Sequence, residues 1–253
     1  MKFVRIIRDG VPVWGEVKGE AVFTLEAPPY ERIRYDGESL PLASCRLLAP
    51  CTPTKIVCVG KNYHDHAMEM GGEVPEAPLL FLKAPNCINH PEGRISAPAY
   101  VTRLDYEGEL AVVIKKRAKC IPAADAAAYI LGYTCLNDVT ARDIQAADGQ
   151  WTRAKGMDGF APMGPWVTDE VDAANLNIET RLCGRTVQSS NSARFMTKIP
   201  ELLEFITRCM TLEPGDVIAT GTPAGIGPMK PGDVVEIEIE GIGILRNYIA
   251  EPY

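Results

Sequence analysis

The sequence predicts an α+β protein built mainly of strands, and three observations carry that prediction. Short apolar runs recur through the chain at 56–59, 79–82, 110–114, 130–136 and 216–220, each of strand length and bounded by turn residues. Val235-Glu236-Ile237-Glu238-Ile239-Glu240 alternates without a break, as a half-exposed strand does, and 242–249 pairs with it across Gly241. Helical spacing is confined to a few places. Pro200 suits a first helical turn, and Leu202, Leu203, Phe205, Ile206, Cys209 and Met210 then recur on one face. A shorter helix is expected at 123–129. A third is expected to begin at Asp138 and run to Gln145, with Thr140 and Asp143 as a capping pair.

The first 50 residues read as strands at 2–8, 11–17 and 21–24, followed by a connection through Pro28-Pro29. Pro50-Cys51-Thr52-Pro53 marks the expected boundary between a small N-terminal β domain, 1–50, and a catalytic domain, 51–253. So short a segment buries little core alone, so it is expected to lean on the main body.

The 253 residues are 46% hydrophobic and 23% charged, ordinary for a globular chain with a sizeable core. A net charge of −7 leaves no electrostatic footprint for nucleic acid or an anionic membrane. Lys115-Lys116-Arg117, the one basic cluster, reads as a solvated strand end. No stretch is apolar enough to span a bilayer, and 1–8 alternates like a strand instead of forming a signal peptide. A cytoplasmic location is the default expectation. Eight cysteines are scattered without a C-x-x-C pair and read as small buried hydrophobes.

Four blocks carry chemistry. In Tyr106-Glu107-Gly108-Glu109-Leu110, strand alternation puts both glutamates on one face, and Gly108 leaves the other face open to close packing. Paired carboxylates repel unless a cation or a proton lies between them. Asp138, after the 130–136 run, offers a third hard oxygen. Three such ligands suit Mg²⁺ or Mn²⁺ better than zinc, although the pair alone also fits a solvated edge strand. The second block runs from Gly60 to Gly72. On a helical turn His66 and Glu69 are i,i+3 neighbours, an arrangement that orients an imidazole as a base or forms a chance surface pair. His64 points elsewhere. In the third block Lys155 sits in a Gly-rich, aromatic-flanked turn after Trp151, as an oxyanion partner or a surface lysine. The fourth, Ala219 to Gly227, lacks the lysine of a phosphate loop. It reads as a glycine hairpin or as a small nest beside Thr222 for a carboxylate.

The ordered set G-K-N-Y-x-x-H-x-x-E-M, Y-E-G-E-L, N-D-V-T-A-R-D-I-Q, W-T-R-A-K-G-x-D-x-F and T-G-T-P-x-G-I-G resembles the fumarylacetoacetate hydrolase family over about residues 51–253. The resemblance implies a mixed β-sandwich roll, a homodimer and a divalent metal, Mg²⁺ or Mn²⁺. It assigns Glu107, Glu109 and Asp138 as metal ligands, His66 and Glu69 as the water-activating dyad on a segment that orders over substrate, and Lys155 as the electrophile. Arg142 and Gln145 would hold substrate oxygens and Thr222 a terminal carboxylate. Members that cleave fumarylacetoacetate itself have a longer N-terminal domain and a further acid where Val59 stands here, so the resemblance is to the acylpyruvase-like branch. The expected reaction is hydrolysis of the C–C bond of an acylpyruvate or related 2,4-dioxo acid through a metal-stabilised pyruvate enolate. Decarboxylation of oxaloacetate and isomerisation of 2-hydroxyhepta-2,4-diene-1,7-dioate share that enolate and are the alternatives. A non-catalytic metabolite-binding member of the fold is a third, and it would have no use for His66 and Glu69.

Overall fold

A computed structural model of the protein describes residues 1–72 and 74–253. The chain is mainly β, as its periodicity predicts. Its largest sheet has twelve strands, ten of them in the order Tyr35–Pro41, Ala21–Leu25, Val11–Lys18, Lys2–Arg8, Ala161–Thr168, Ile130–Asn137, Gly108–Ile114, Val217–Ala219, Ile56–Gly60 and Leu79–Lys83, with the short strands Leu47–Leu48 and Ile88–Asn89 pairing off that path. A five-stranded sheet that includes Val234–Ile239 and Gly243–Ile249 packs against it.

The central strand Gly108–Ile114 is buried on both faces. Leu110, Val112 and Ile114 face Ile178, Ile237, Ile239 and Leu245 of the second sheet, with Leu202 and Ile206 of the Ile199–Cys209 helix beside them. Ala111 and Val113 face the opposite core with Cys58, Leu136, Met163 and Ala219. A period of two therefore produces two cores from one strand. Gly108 is required at its start: a Cβ there would lie 2.1 Å from Thr180 Oγ1.

The N-terminal strands continue the large sheet, with Lys2 opposite Thr168 and Phe3 opposite Val167. Three expectations about local structure need correction. Residues 123–129 form a 3₁₀ helix, not an α-helix. The third helix begins at Arg142, because Thr140 and Ala141 pair as a short strand with Leu104–Tyr106. Its capping pair does not form: Thr140 Oγ1 donates instead to the Asp138 carbonyl at 2.8 Å, and Asp143 accepts from Thr102. Nor are all the cysteines buried, since Cys120, Cys183 and Cys209 are exposed. Among the described residues no helix is long and apolar enough to cross a membrane.

Candidate active site

Strand register assembles the carboxylates. Gly108 pairs with Asn137 and Glu109 with Leu136, so Asp138 arrives beside Glu107 as the two strands end. Two hydrogen bonds lock that junction, from Asp138 N to the Glu107 carbonyl at 2.9 Å and from Glu107 N to Asn137 Oδ1 at 3.0 Å. Glu107, Glu109 and Asp138 are all buried, and ligand atoms of the three lie within 4.8 Å of one another.

Cations alternate with these carboxylates. Arg103 and Arg142 both bind Asp105, and Arg142 reaches on to Glu107. Lys155 Nζ lies 2.8 Å from Glu107 Oε2 and 2.7 Å from Asp138 Oδ2. Lys83, fully buried, stands 2.8 Å from Asp138 Oδ1 while donating to the carbonyls of Val139 and Phe160. Burial pushes the Glu107 carboxyl up, but the Lys155 and Arg142 charges overcome it and hold the group at about 2. Glu109 goes the other way: burial first, then the negative charges of Asp138 and Glu107, raise it well above the ordinary carboxylate range. Only the Gly221 amide, at 2.8 Å, opposes that rise with a hydrogen bond.

These residues fit a divalent cation. Asp138 Oδ1 is buried without a directed hydrogen bond, despite its closeness to Lys83. Burial and the charges of Asp138 and Glu107 raise Glu109 against the opposing charge of Lys155, and a cation held among the three carboxylates would offset that repulsion. The donors are carboxylate oxygens throughout, with no imidazole or thiolate among them, which favours Mg²⁺ or Mn²⁺.

The Gly60–Gly72 block brings a histidine to the carboxylates. Residues His64–Glu69 form a short helix that ends before Gly71 and Gly72, both at positive φ. His66 is buried and borders the same small cavity as Glu107, Glu109 and Asp138. Its Nδ1 lies 3.1 Å from Glu69 Oε2, whereas His64 is exposed. Glu69 also accepts the Gly225 amide, at 3.1 Å to Oε1 and 3.3 Å to Oε2, which ties this helix to the glycine-rich loop.

The amides of that loop thus serve the protein's own carboxylates, Gly221 toward Glu109 and Gly225 toward Glu69. Thr222 lines the cavity with its hydroxyl already engaged, donating to the Gly108 carbonyl at 3.0 Å and accepting from Gln188 at 2.8 Å. Arg142 is likewise engaged by Asp105, Glu107 and Gln145 Oε1, and Gln145 also lines the cavity. Lys155 packs over the Phe81 ring at 5.0 Å, and Phe81 meets Trp151 edge-on.

Lys83, Arg103 and Asp105 were not among the residues expected from sequence. For two of them a signal exists: Arg103, Asp105, Glu107 and Glu109 recur at every second residue, the spacing of one strand face. Lys83 ends an apolar strand and carries no such mark.

Comparison with known proteins agrees with this fold. Residues 55–250 match the model described as fumarylacetoacetate (FAA) hydrolase C-terminal, and residues 1–50 match one described as Rv2993c-like, N-terminal. The chain belongs to the fumarylacetoacetate hydrolase family. It is 42% identical over 223 residues to the oxaloacetate tautomerase YisK of Bacillus subtilis, a match that covers 82% of this chain and 74% of that one. The structure of a 5-carboxymethyl-2-hydroxymuconate delta-isomerase from Mycobacterium smegmatis superposes with a TM-score of 0.94 at 41% identity, over 99% of this chain and 100% of the other. A maleylpyruvate hydrolase from a Sphingobium species, solved with manganese(II) and pyruvate, gives 0.84 at 27% identity over 100% of both chains. The family's enzymes thus include a tautomerase, an isomerase and a hydrolase.

Proposed function

We propose that this protein is a divalent-cation-dependent enzyme of small 2-oxo acids, and that it moves a proton beside the keto group. The reaction we assign is keto–enol tautomerisation of an oxaloacetate-like acid. The observation that carries this reading is the placement of His66, held at Nδ1 by Glu69 at 3.1 Å, on a cavity that it shares with the three carboxylates. Glu107, Glu109 and Asp138 would hold Mg²⁺ or Mn²⁺, and a bound cation supplies a Lewis acid that polarises the keto group.

The chain's own groups do the rest. His66, with Nδ1 held by Glu69, presents Nε2 to the carbon next to the carbonyl and takes its proton. Glu69 stabilises the imidazolium that results. The proton is then delivered to the keto oxygen, so one C–H bond breaks, one O–H bond forms, and no water is consumed. Lys155, whose carboxylate partners hold it protonated against the cost of burial, supplies N–H donors for the oxygen on which charge develops. The Gln145 amide nitrogen is placed to donate to the substrate's carboxylate.

Hydrolysis of an acylpyruvate is the second reading. The same dyad would activate water, and the likeness to a maleylpyruvate hydrolase favours it. One observation puts proton transfer first: the identity to a tautomerase, 42%, is higher than the 27% to that hydrolase.

The test is one panel on Mg²⁺-loaded protein. Freshly dissolved enol oxaloacetate is followed by loss of enol absorbance, and acetylpyruvate by release of pyruvate. Faster enol decay without pyruvate release from acetylpyruvate supports tautomerisation. Turnover of acetylpyruvate alone would replace it with hydrolysis.

A further inference from the structure

We infer that Lys61 reads the second carboxylate of a dicarboxylic substrate and thereby sets the preference for dicarboxylic over monocarboxylic 2-oxo acids. This rests on the 2-oxo acid reading above and names the residue that would give it specificity.

The argument begins with charge. A 2-oxo dicarboxylate has one carboxylate next to its keto group and another at the far end of the molecule. The first belongs with the cation at Glu107, Glu109 and Asp138. The second needs a cationic partner of its own, because a carboxylate taken out of water without one is costly. Three residues with cationic side chains border the cavity: Arg142, Lys155 and Lys61. Arg142 is taken by Asp105 and Glu107, and Lys155 by Glu107 and Asp138. Among the described residues no ion pair joins Lys61 to a carboxylate.

Position is the second strand of the argument. Lys61 borders the inner cavity and also an outer cleft of about 210 Å³, shared with Val59, Gly60, Pro75 and Glu76. It therefore stands at the mouth, where the far end of a substrate anchored on the three carboxylates would emerge. Glu76 lines the outer cleft only and does not border the inner cavity.

Backbone conformation is the third. Lys61 has φ of +54°, in the left-handed region that glycine enters freely and a lysine enters at a cost. Its neighbour fixes that conformation. The Asn62 side chain donates to the carbonyls of Thr197 and Thr220 and accepts from Thr197 N, and the Asn62 carbonyl accepts from Met196 N. A side chain bearing a flexible ammonium is thus carried on a left-handed residue whose neighbour is held by four hydrogen bonds. Backbone strain of this kind is found at ligand sites more often than elsewhere.

The experiment is calorimetry on Mg²⁺-loaded protein with two inert probes, the dicarboxylate N-oxalylglycine and the monocarboxylate oxamate. We expect wild type to favour the dicarboxylate, and Lys61→Met to lower the ratio of the two affinities by about tenfold or more, the usual worth of a hydrogen bond to a charged group. Lys61→Arg should restore most of the ratio. Lys61→Gly, which suits the left-handed backbone, should lose the ratio while unfolding at the same temperature as wild type or higher. An unchanged ratio in both Lys61→Met and Lys61→Gly would overturn the assignment. Should wild type bind N-oxalylglycine through Lys61 yet leave oxaloacetate unchanged, the reaction reading fails and the Lys61 assignment stands.

Discussion

Glu69 accepts the backbone amide of Gly225 at 3.1 Å, and the same carboxylate holds His66. One side chain therefore both orients the imidazole and anchors the helix that carries it. Gly225 has φ of +100°, and a Cβ added there would meet the Val187 carbonyl at 2.3 Å, so the loop that offers this amide cannot accept a side chain without moving. Gly225→Ala should slow turnover by about tenfold or more through misplacement of the dyad, while leaving cation affinity close to wild type. Calorimetric titration with Mn²⁺ beside the enol assay checks both halves. Unchanged turnover would mean that Glu69 does not depend on this latch.

Glu109 couples cation binding to pH. Burial and the charges of Asp138 and Glu107 raise its folded pKa, so the folded protein keeps a proton that the unfolded chain sheds above the ordinary carboxylate range. In the cation-free protein that contribution to stability is present below the unfolded pKa and is lost as pH rises toward the folded one. A cation takes the proton's place. The increase in Tm on adding Mg²⁺ should accordingly be larger near about pH 8 than near about pH 6. Equal increases at the two pH values would put the cation somewhere other than Glu109.

Lys83 is the structural counter-charge to Asp138. Its ammonium is fully buried, ion-paired at 2.8 Å and hydrogen-bonded to two carbonyls. Removing one partner of a buried pair costs about 3–5 kcal/mol when the other is left uncompensated, but Lys155 still holds the second Asp138 oxygen. Lys83→Met should therefore lose about 1–3 kcal/mol of stability in urea unfolding of the cation-free protein. Saturating Mn²⁺ should restore part of it by supplying Asp138 with positive charge. A loss below about 1 kcal/mol would show that Asp138 does not rely on Lys83.

Gly108 shows how much of the site could be read before the structure. Its role as the gap between two glutamates follows from alternation alone, and the structure fills that gap with Thr180. The pairing of Val234–Ile239 with Gly243–Ile249, the His66–Glu69 contact and the exposure of His64 were equally legible, because each depends on local period or spacing. Lys83 was not legible. It meets Asp138 across 55 residues of chain, and nothing in its own neighbourhood distinguishes it from a solvated strand end. Arg142 and Thr222 were expected to touch substrate, yet both are occupied by partners that only the tertiary fold brings near: Asp105 and Glu107 for the first, Gln188 and Gly108 for the second. The helix start at 142 was missed because Thr140 found better partners in the Asp138 carbonyl and in strand pairing than in a cap.

The central claim is that His66, oriented by Glu69, transfers a proton on an acid held at the three carboxylates. The most direct measurement is enol decay of oxaloacetate by His66→Ala, with Mn²⁺ affinity measured on the same preparation. The account predicts cation affinity near that of wild type and a fall in turnover of about 10²–10⁴-fold, the usual worth of a positioned general base. Turnover near wild type in a variant that still binds Mn²⁺ would contradict it.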